Sequence, residues 1–237
     1  MFNKEELEEL LTNMGKKIDK PVNVYMIGGC ALSFKGLKPL TKDIDIITTN
    51  RQDFDEIDGA MKKNGFELDS NLESEFYLTA LAVYKKEDSR IDIFLKQVGK
   101  MLLLSENMTK RSEKYKDYGK LAIYLVSNED IFLFKSLTSR EGDVVDCDRI
   151  MKQGIDYKII YKEMIEQSKS GKKWFFWAYE SLCRIENYNQ ITIPIKSKVF
   201  ALVKKHWKEK PSDFMGGIEN MGQHIPDRRL LNEIKKV

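Results

Sequence analysis

The apolar positions change period partway along the chain. In "MFNKEELEELLTNMGKK", Phe2, Leu7, Leu10 and Leu11 share one face of a helix. "PVNVYMIGG" (21–29) reads as a short buried strand running into two glycines, and "CALSFKG" (30–36) as two helical turns stopped by Gly36. "KDIDIITT" (42–49) alternates as a strand, and "FDEIDGAMKKNGF" (54–66) has helical spacing at Phe54, Ile57 and Met61 before Asn64-Gly65 ends it. Further strands are predicted at "FYLTALAVYKK" (76–86), "SRIDIFLKQV" (89–98) and "KLAIYLVS" (120–127), the first two joined by a charged turn at Glu87-Asp88. Ser127-Asn128-Glu129-Asp130 then has the S-x-x-D form of a capping box, and from Ile131 onward the helical period dominates. The pattern predicts an α/β half with four or five strands followed by a helical half, organised as domains 1–150 and 151–237.

Composition narrows the class. A chain of 237 residues with 42% hydrophobic and 32% charged residues can bury a sizeable core. No apolar run approaches the roughly 20 residues that span a bilayer, and the first helix lacks the apolar centre of a signal peptide. Cys30, Cys147 and Cys183 are widely spaced, which is neither a disulfide framework nor a zinc pattern. The expected compartment is the cytoplasm, with no membrane partner. Net charge is only +3, but residues 151–237 carry 17 Lys/Arg against 10 Asp/Glu. A basic C-terminal region behind a mildly acidic one points to a polyanionic partner, although a solvated lysine-rich surface has the same composition.

The candidate chemistry lies in the strands. Successive strand side chains alternate faces, so Asp43 and Asp45 project from one side together with Thr41, while Ile44 and Ile46 point into the core. Two ionised carboxylates about 7 Å apart repel unless a cation neutralises them, and hard oxygen ligands suit Mg²⁺. Asp92, between Ile91 and Ile93, lies opposite the isoleucines of its own strand. If the two strands are neighbours, three carboxylates converge as a two-metal phosphoryl-transfer site requires. A half-exposed strand with aspartates facing water would also read D-x-D. Gly28-Gly29, ending a strand and preceding a helix, could let backbone amides approach a phosphate, and equally could make a tight turn.

The combination GG-x13-D-I-D-I with a later I-D-I resembles the DNA polymerase β-type nucleotidyltransferase superfamily. Within it, "GGCALSFKGLKPLTKDIDI" is most similar to the minimal AbiEii-like enzymes, several of which are toxins of toxin–antitoxin pairs. The resemblance covers roughly residues 24–150. It implies an α/β (α+β) fold, with a polymerase β-like mixed sheet followed by a helical C-terminal region. It also implies Mg²⁺-dependent (or Mn²⁺-dependent) transfer of a nucleoside monophosphate from an NTP. On this resemblance Gly28 and Gly29 match the phosphate-loop glycines, Asp43 and Asp45 the paired metal ligands, and Asp92 the third carboxylate, base or metal partner. Thr41 opens the T-x-D-h-D-h strand, where h is apolar. Cys30 stands where many relatives place Ser or Thr, and Lys38 where an arginine is frequent.

"SNEDIFLFKSLTSREGDVVDCDR" resembles the segment of these enzymes in which a helix carries a lysine, then an arginine, then aspartates. Lys135 is expected at the β/γ-phosphates, unless it snorkels to solvent. Arg140 either assists it or pairs with Asp143, and Asp143, Asp146 and Arg149 read as a structural ion-pair set. The rings of "KKWFFWAYESLCR" (172–184) have core spacing, with base stacking as the alternative. His206 and His224 lack a partner at metal-ligand spacing, and "FMGGIENMG" lacks a preceding strand. The expected acceptor is a hydroxyl on tRNA or protein, with an antitoxin as a further partner. The alternatives are a small-molecule (antibiotic) nucleotidyltransferase and a non-catalytic NTP-binding or partner-binding module.

Overall fold

The computed structural model describes residues 1–69, 82–87, 89–98, 102–136, 138, 140–169, 175–211 and 228–236. The chain divides into two compact units, Met1–Ser127 and Asn128–Val237. The division falls at the S-x-x-D sequence where the helical period begins; residue 150 lies inside a helix of the second unit.

In the first unit, helix α1 (Lys4–Gly15) starts at a capping box: the Asn3 side chain accepts from the Glu6 N–H, and the Glu6 carboxylate accepts from the Asn3 N–H. Then follow β1 (Val22–Ile27), α2 (Gly28–Phe34), β2 (Asp43–Thr48), α3 (Arg51–Lys63), β3 (Glu67–Leu68), β4 (Ala82–Lys86) and β5 (Ser89–Leu95). A small hairpin, β6 (Gln97–Val98) and β7 (Leu102–Leu103), precedes α4 (Glu106–Arg111), β8 (Glu113–Tyr118) and β9 (Leu121–Leu125). Asn50 caps α3 by accepting from the Asp53 N–H, so that helix begins ahead of its first apolar residue, Phe54. Of the strand expected at 76–86, residues 76–81 lie outside the described residues.

Among the described residues, seven strands form one mixed sheet in the order β3-β4-β5-β2-β1-β9-β8. β1 runs antiparallel to β2 and parallel to β9, while β2 runs parallel to β5. The alternation read from the sequence holds: Ile44, Ile46, Ile91 and Ile93 are all buried on the face opposite the aspartates. Helix α3 lies on that isoleucine face, where the Tyr84 hydroxyl donates to its Asp58. Helix α1 is tied to edge strand β8 through Glu8, which accepts from the Tyr115 and Tyr118 hydroxyls and from Lys116 at 2.5–2.7 Å. Burial would raise the Glu8 pKa, but these three donors outweigh it and hold the carboxyl down at about 2.

The second unit contains α5 (Asn128–Lys135), α6 (Glu141–Met151), α7 (Tyr157–Ser168), α8 (Phe175–Asn189), α9 (Lys196–Glu209) and α10 (Arg228–Lys235). Phe175, Phe176, Trp177 and Tyr179 are buried, and Tyr179 stacks on Phe200 of α9, so these rings pack the helical core. His206 is buried in α9, edge-on to Phe175. His224 and "FMGGIENMG" lie outside the described residues. Among the described residues, no helix is long and apolar enough to cross a membrane.

Candidate active site

Strand register decides which side chains can meet. β2 and β5 pair with Asp45 beside Asp92 and Asp43 beside Arg90, and β1 pairs with Ile27 beside Asp45. Neighbouring strands are about 4.8 Å apart and alternate residues about 7 Å apart, so the three carboxylates crowd one end of one face. Asp43 and Asp45 are half-buried and Asp92 is buried.

The glycine pair opens directly onto this face. Gly28 has φ +64°, in the left-handed region, and a Cβ there would stand 2.4 Å from Asp45 Oδ2. The missing side chain is the notch that the Asp45 carboxylate occupies. We therefore expect Gly28→Ala to cost about 1–2 kcal/mol in urea denaturation from the left-handed backbone alone. It should also push the Asp45 carboxylate aside, so that transfer activity falls further than stability does.

At Gly29 a Cβ would meet Thr41 Oγ1 at 2.6 Å and Lys38 Nζ at 3.4 Å. The lysine ammonium thus lies over the glycine turn. Thr41 is fixed by Phe2, with which it exchanges two backbone hydrogen bonds, and its own hydroxyl donates to the Asp43 carbonyl. The entry to β2 is held on both sides.

Cys30 points inward. Its thiol is fully buried and donates to the Ile27 carbonyl at 3.0 Å and, more weakly, to the Asp45 carbonyl at 3.5 Å. Burial, reinforced by the Asp45 carboxylate, pushes the thiol pKa up to about 12, so the group stays protonated. Cys30 can offer a phosphate only its backbone N–H, in a first helical turn whose amides have no intrahelical acceptor. The thiol instead joins the glycine turn to the aspartate strand.

Arg90 also stands on this face, a side chain that the sequence reading did not single out. Its guanidinium forks onto Asp92, with Nε donating to Oδ1 at 2.8 Å and an Nη donating to Oδ2 at 2.7 Å. Among the described residues, no three or more His, Cys, Asp or Glu side chains are grouped to hold a metal ion. The donor set nevertheless fits Mg²⁺, because that ion takes one or two protein carboxylates and completes its shell with waters and substrate phosphates. Asp43 and Asp45 suit that role, and Asp92 can join them only by giving up the Arg90 guanidinium.

Lys135 and Arg140 belong to the second unit. The Lys135 ammonium is buried and bonds Asp143 at 2.7 Å and Asp146 at 2.8 Å, both on α6. Arg140 also reaches Asp143, Arg149 reaches Asp146, and the Thr138 hydroxyl donates to Asp143. Burial would lower the Lys135 pKa, but the two carboxylates hold it above its ordinary value. In the same way Lys135 and then Arg140 keep Asp143 below the usual carboxylate range against its own burial.

Residues 4–181 match the profile of a family described as "Nucleotidyltransferase of unknown function (DUF6036)". No curated protein matches the chain. Among solved structures, the chain is similar to a crystal structure of ANT(2″)-Ia in complex with adenylyl-2″-tobramycin. That match has a TM-score of 0.48 and 10% identity, over 69% of this chain and 95% of that one. A solution structure of the antibiotic-resistance factor ANT(2″)-Ia gives a TM-score of 0.48 and 9% identity, over 80% and 99%.

Proposed function

The chain belongs to this nucleotidyltransferase family and is an enzyme of that class, and from that premise we propose an Mg²⁺-dependent (or Mn²⁺-dependent) transfer of a nucleoside monophosphate from an NTP to a hydroxyl of tRNA or protein. One observation carries the reading: the β2–β5 register sets Asp45 beside Asp92, at the end of the face onto which Gly28 opens. Asp43 and Asp45 would hold the ion, which neutralises phosphate charge. Asp92 would assist removal of the acceptor proton or join the ion as a third carboxylate. The acceptor oxygen attacks the α-phosphorus, the bond to the bridging oxygen breaks, and pyrophosphate leaves. Gly28, Gly29 and the Cys30 amide cradle the phosphates, with Lys38 above the turn and Thr41 fixing the start of β2. Lys135 keeps a phosphate role only through a donor not committed to Asp143 and Asp146, and Arg140 through the outer side of its guanidinium.

Exposed Lys198, Lys205 and Lys208 on α9 support a polyanionic acceptor, and tRNA is the first choice. An AbiEii-like toxin role with an antitoxin partner, in the cytoplasm, follows from the "GGCALSFKGLKPLTKDIDI" resemblance. The test incubates the full chain with each labelled NTP and Mg²⁺, in separate arms containing tRNA, protein extract and aminoglycosides. Label on tRNA or protein is expected. Label on aminoglycosides alone would make the protein a small-molecule enzyme, and bound NTP without transfer would make it a binding module.

A further inference from the structure

Arg90 raises a question that the proposed reaction does not answer. Converging carboxylates need a cation, and this face carries one of its own. The guanidinium takes both oxygens of Asp92 in a bidentate fork, the strongest common form of carboxylate pairing. The pair is enclosed, with side-chain exposures of 20% and 12%, so water screens it little. Arg90 is also the cross-strand neighbour of Asp43 on the same face, so its charge lies on one carboxylate and beside a second.

We propose that Arg90 is a resident counter-ion that competes with the divalent metal for Asp92, making metal binding conditional on the nucleotide. This rests on the nucleotidyltransferase reading of the site. A divalent ion arriving alone meets an arginine already forked onto one carboxylate and lying beside another. An ion arriving with a triphosphate brings up to four negative charges with it. A guanidinium matches phosphate in the same bidentate way as carboxylate, so the displaced Arg90 gains a new partner as Asp92 is released. Arg90 is thus a positioning residue. It holds Asp92 while the site is idle and yields it when substrate and metal enter together.

Mn²⁺ provides a readout independent of turnover, through the electron paramagnetic resonance of the ion in solution. Wild-type protein should bind Mn²⁺ weakly without nucleotide and much more tightly with a non-hydrolysable ATP analogue. Arg90→Gln should bind Mn²⁺ alone about tenfold more tightly, and the gap between variant and wild type should narrow when the analogue is present. Arg90→Lys, which keeps the charge without the fork, should lie between them and guards against a folding defect in the glutamine variant. Lys85→Gln removes the same charge at Arg90's cross-strand neighbour on β4, where Lys85 pairs with Asp69. It should leave Mn²⁺ affinity within about twofold. Unchanged or weaker Mn²⁺ binding in both folded Arg90 variants overturns the proposal, as does an equal gain in Lys85→Gln. If no protein binds Mn²⁺ even with the analogue, the metal site itself fails, a result distinct from wild-type binding that Arg90 does not modulate.

Discussion

Asp45→Ala should lower kcat/KM for nucleotidyl transfer by about a thousandfold or more while the protein stays folded. Asp45 sits at the centre of the carboxylate face. Asp92 is its cross-strand neighbour, Asp43 lies two residues before it, and its Oδ2 fills the notch at Gly28. A divalent ion on a transferring phosphoryl group contributes several kcal/mol of charge stabilisation. At about 1.4 kcal/mol per tenfold, losing about 4 kcal/mol of it gives the thousandfold figure. The side chain is half-buried and carries no apolar core, so stability should change by no more than about 1 kcal/mol. Asp45→Asn keeps the shape and loses the charge, and should fall nearly as far. Undiminished label transfer by both Asp43→Ala and Asp45→Ala would remove the metal assignment.

The largest effect on stability is expected at Lys135. Lys135→Met leaves Asp143 and Asp146 buried without the ammonium they share, and breaking a buried pair from one side costs about 3–5 kcal/mol. Arg140 and Arg149 remain near, which favours the lower end of that range. Urea denaturation should show it, and adding Asp146→Asn should restore part of the loss because one orphaned charge is gone. Arg140→Met should cost well under about 1 kcal/mol, since its side chain is 61% exposed. The sign of the pH dependence follows from Asp143. Its folded pKa is depressed, so its contribution is complete above the ordinary carboxylate value and is lost as pH falls below it. The Lys135 pKa is raised, so its contribution is complete below the ordinary lysine value and is lost only at higher, strongly alkaline pH. The network is therefore intact at neutral pH and fails first in acid. If Lys135→Met keeps wild-type stability but loses turnover, the lysine serves the phosphates rather than the helices.

Residue period made the first half of this picture legible. Isoleucines alternating with Asp43, Asp45 and Asp92 can satisfy a buried face in only one way, and the sheet obeys it. The same alternation places Arg90 on the aspartate face, two residues before Asp92, so its position could have been read from "IDIF" preceded by one basic residue. It was missed because a charged residue near a strand start looks like a solvated edge. The direction of Cys30 was not legible, since a short helix gives too little periodicity to separate a thiol facing a ligand from one facing the core. Strand β8, "EKYKDY", went unseen because an edge strand buries little and loses the apolar rhythm. The partners of Lys135 lie on the next helix, a separation at which neither helical nor strand spacing constrains contact.

The parallel pairing of β2 with β5 has a consequence in time. Parallel neighbours cannot be joined by a hairpin, and here the chain between them carries α3, β3 and β4 before it returns. Closing so long a loop costs entropy before any contact repays it, so this pairing is expected to be a slow step of folding. The glycine turn and Asp45 come from neighbouring segments and can assemble early, but Asp92 arrives only when β5 docks. During refolding, helical signal should return first and nucleotidyl transfer should lag behind it. On heating, activity should fade with the seam between these two strands.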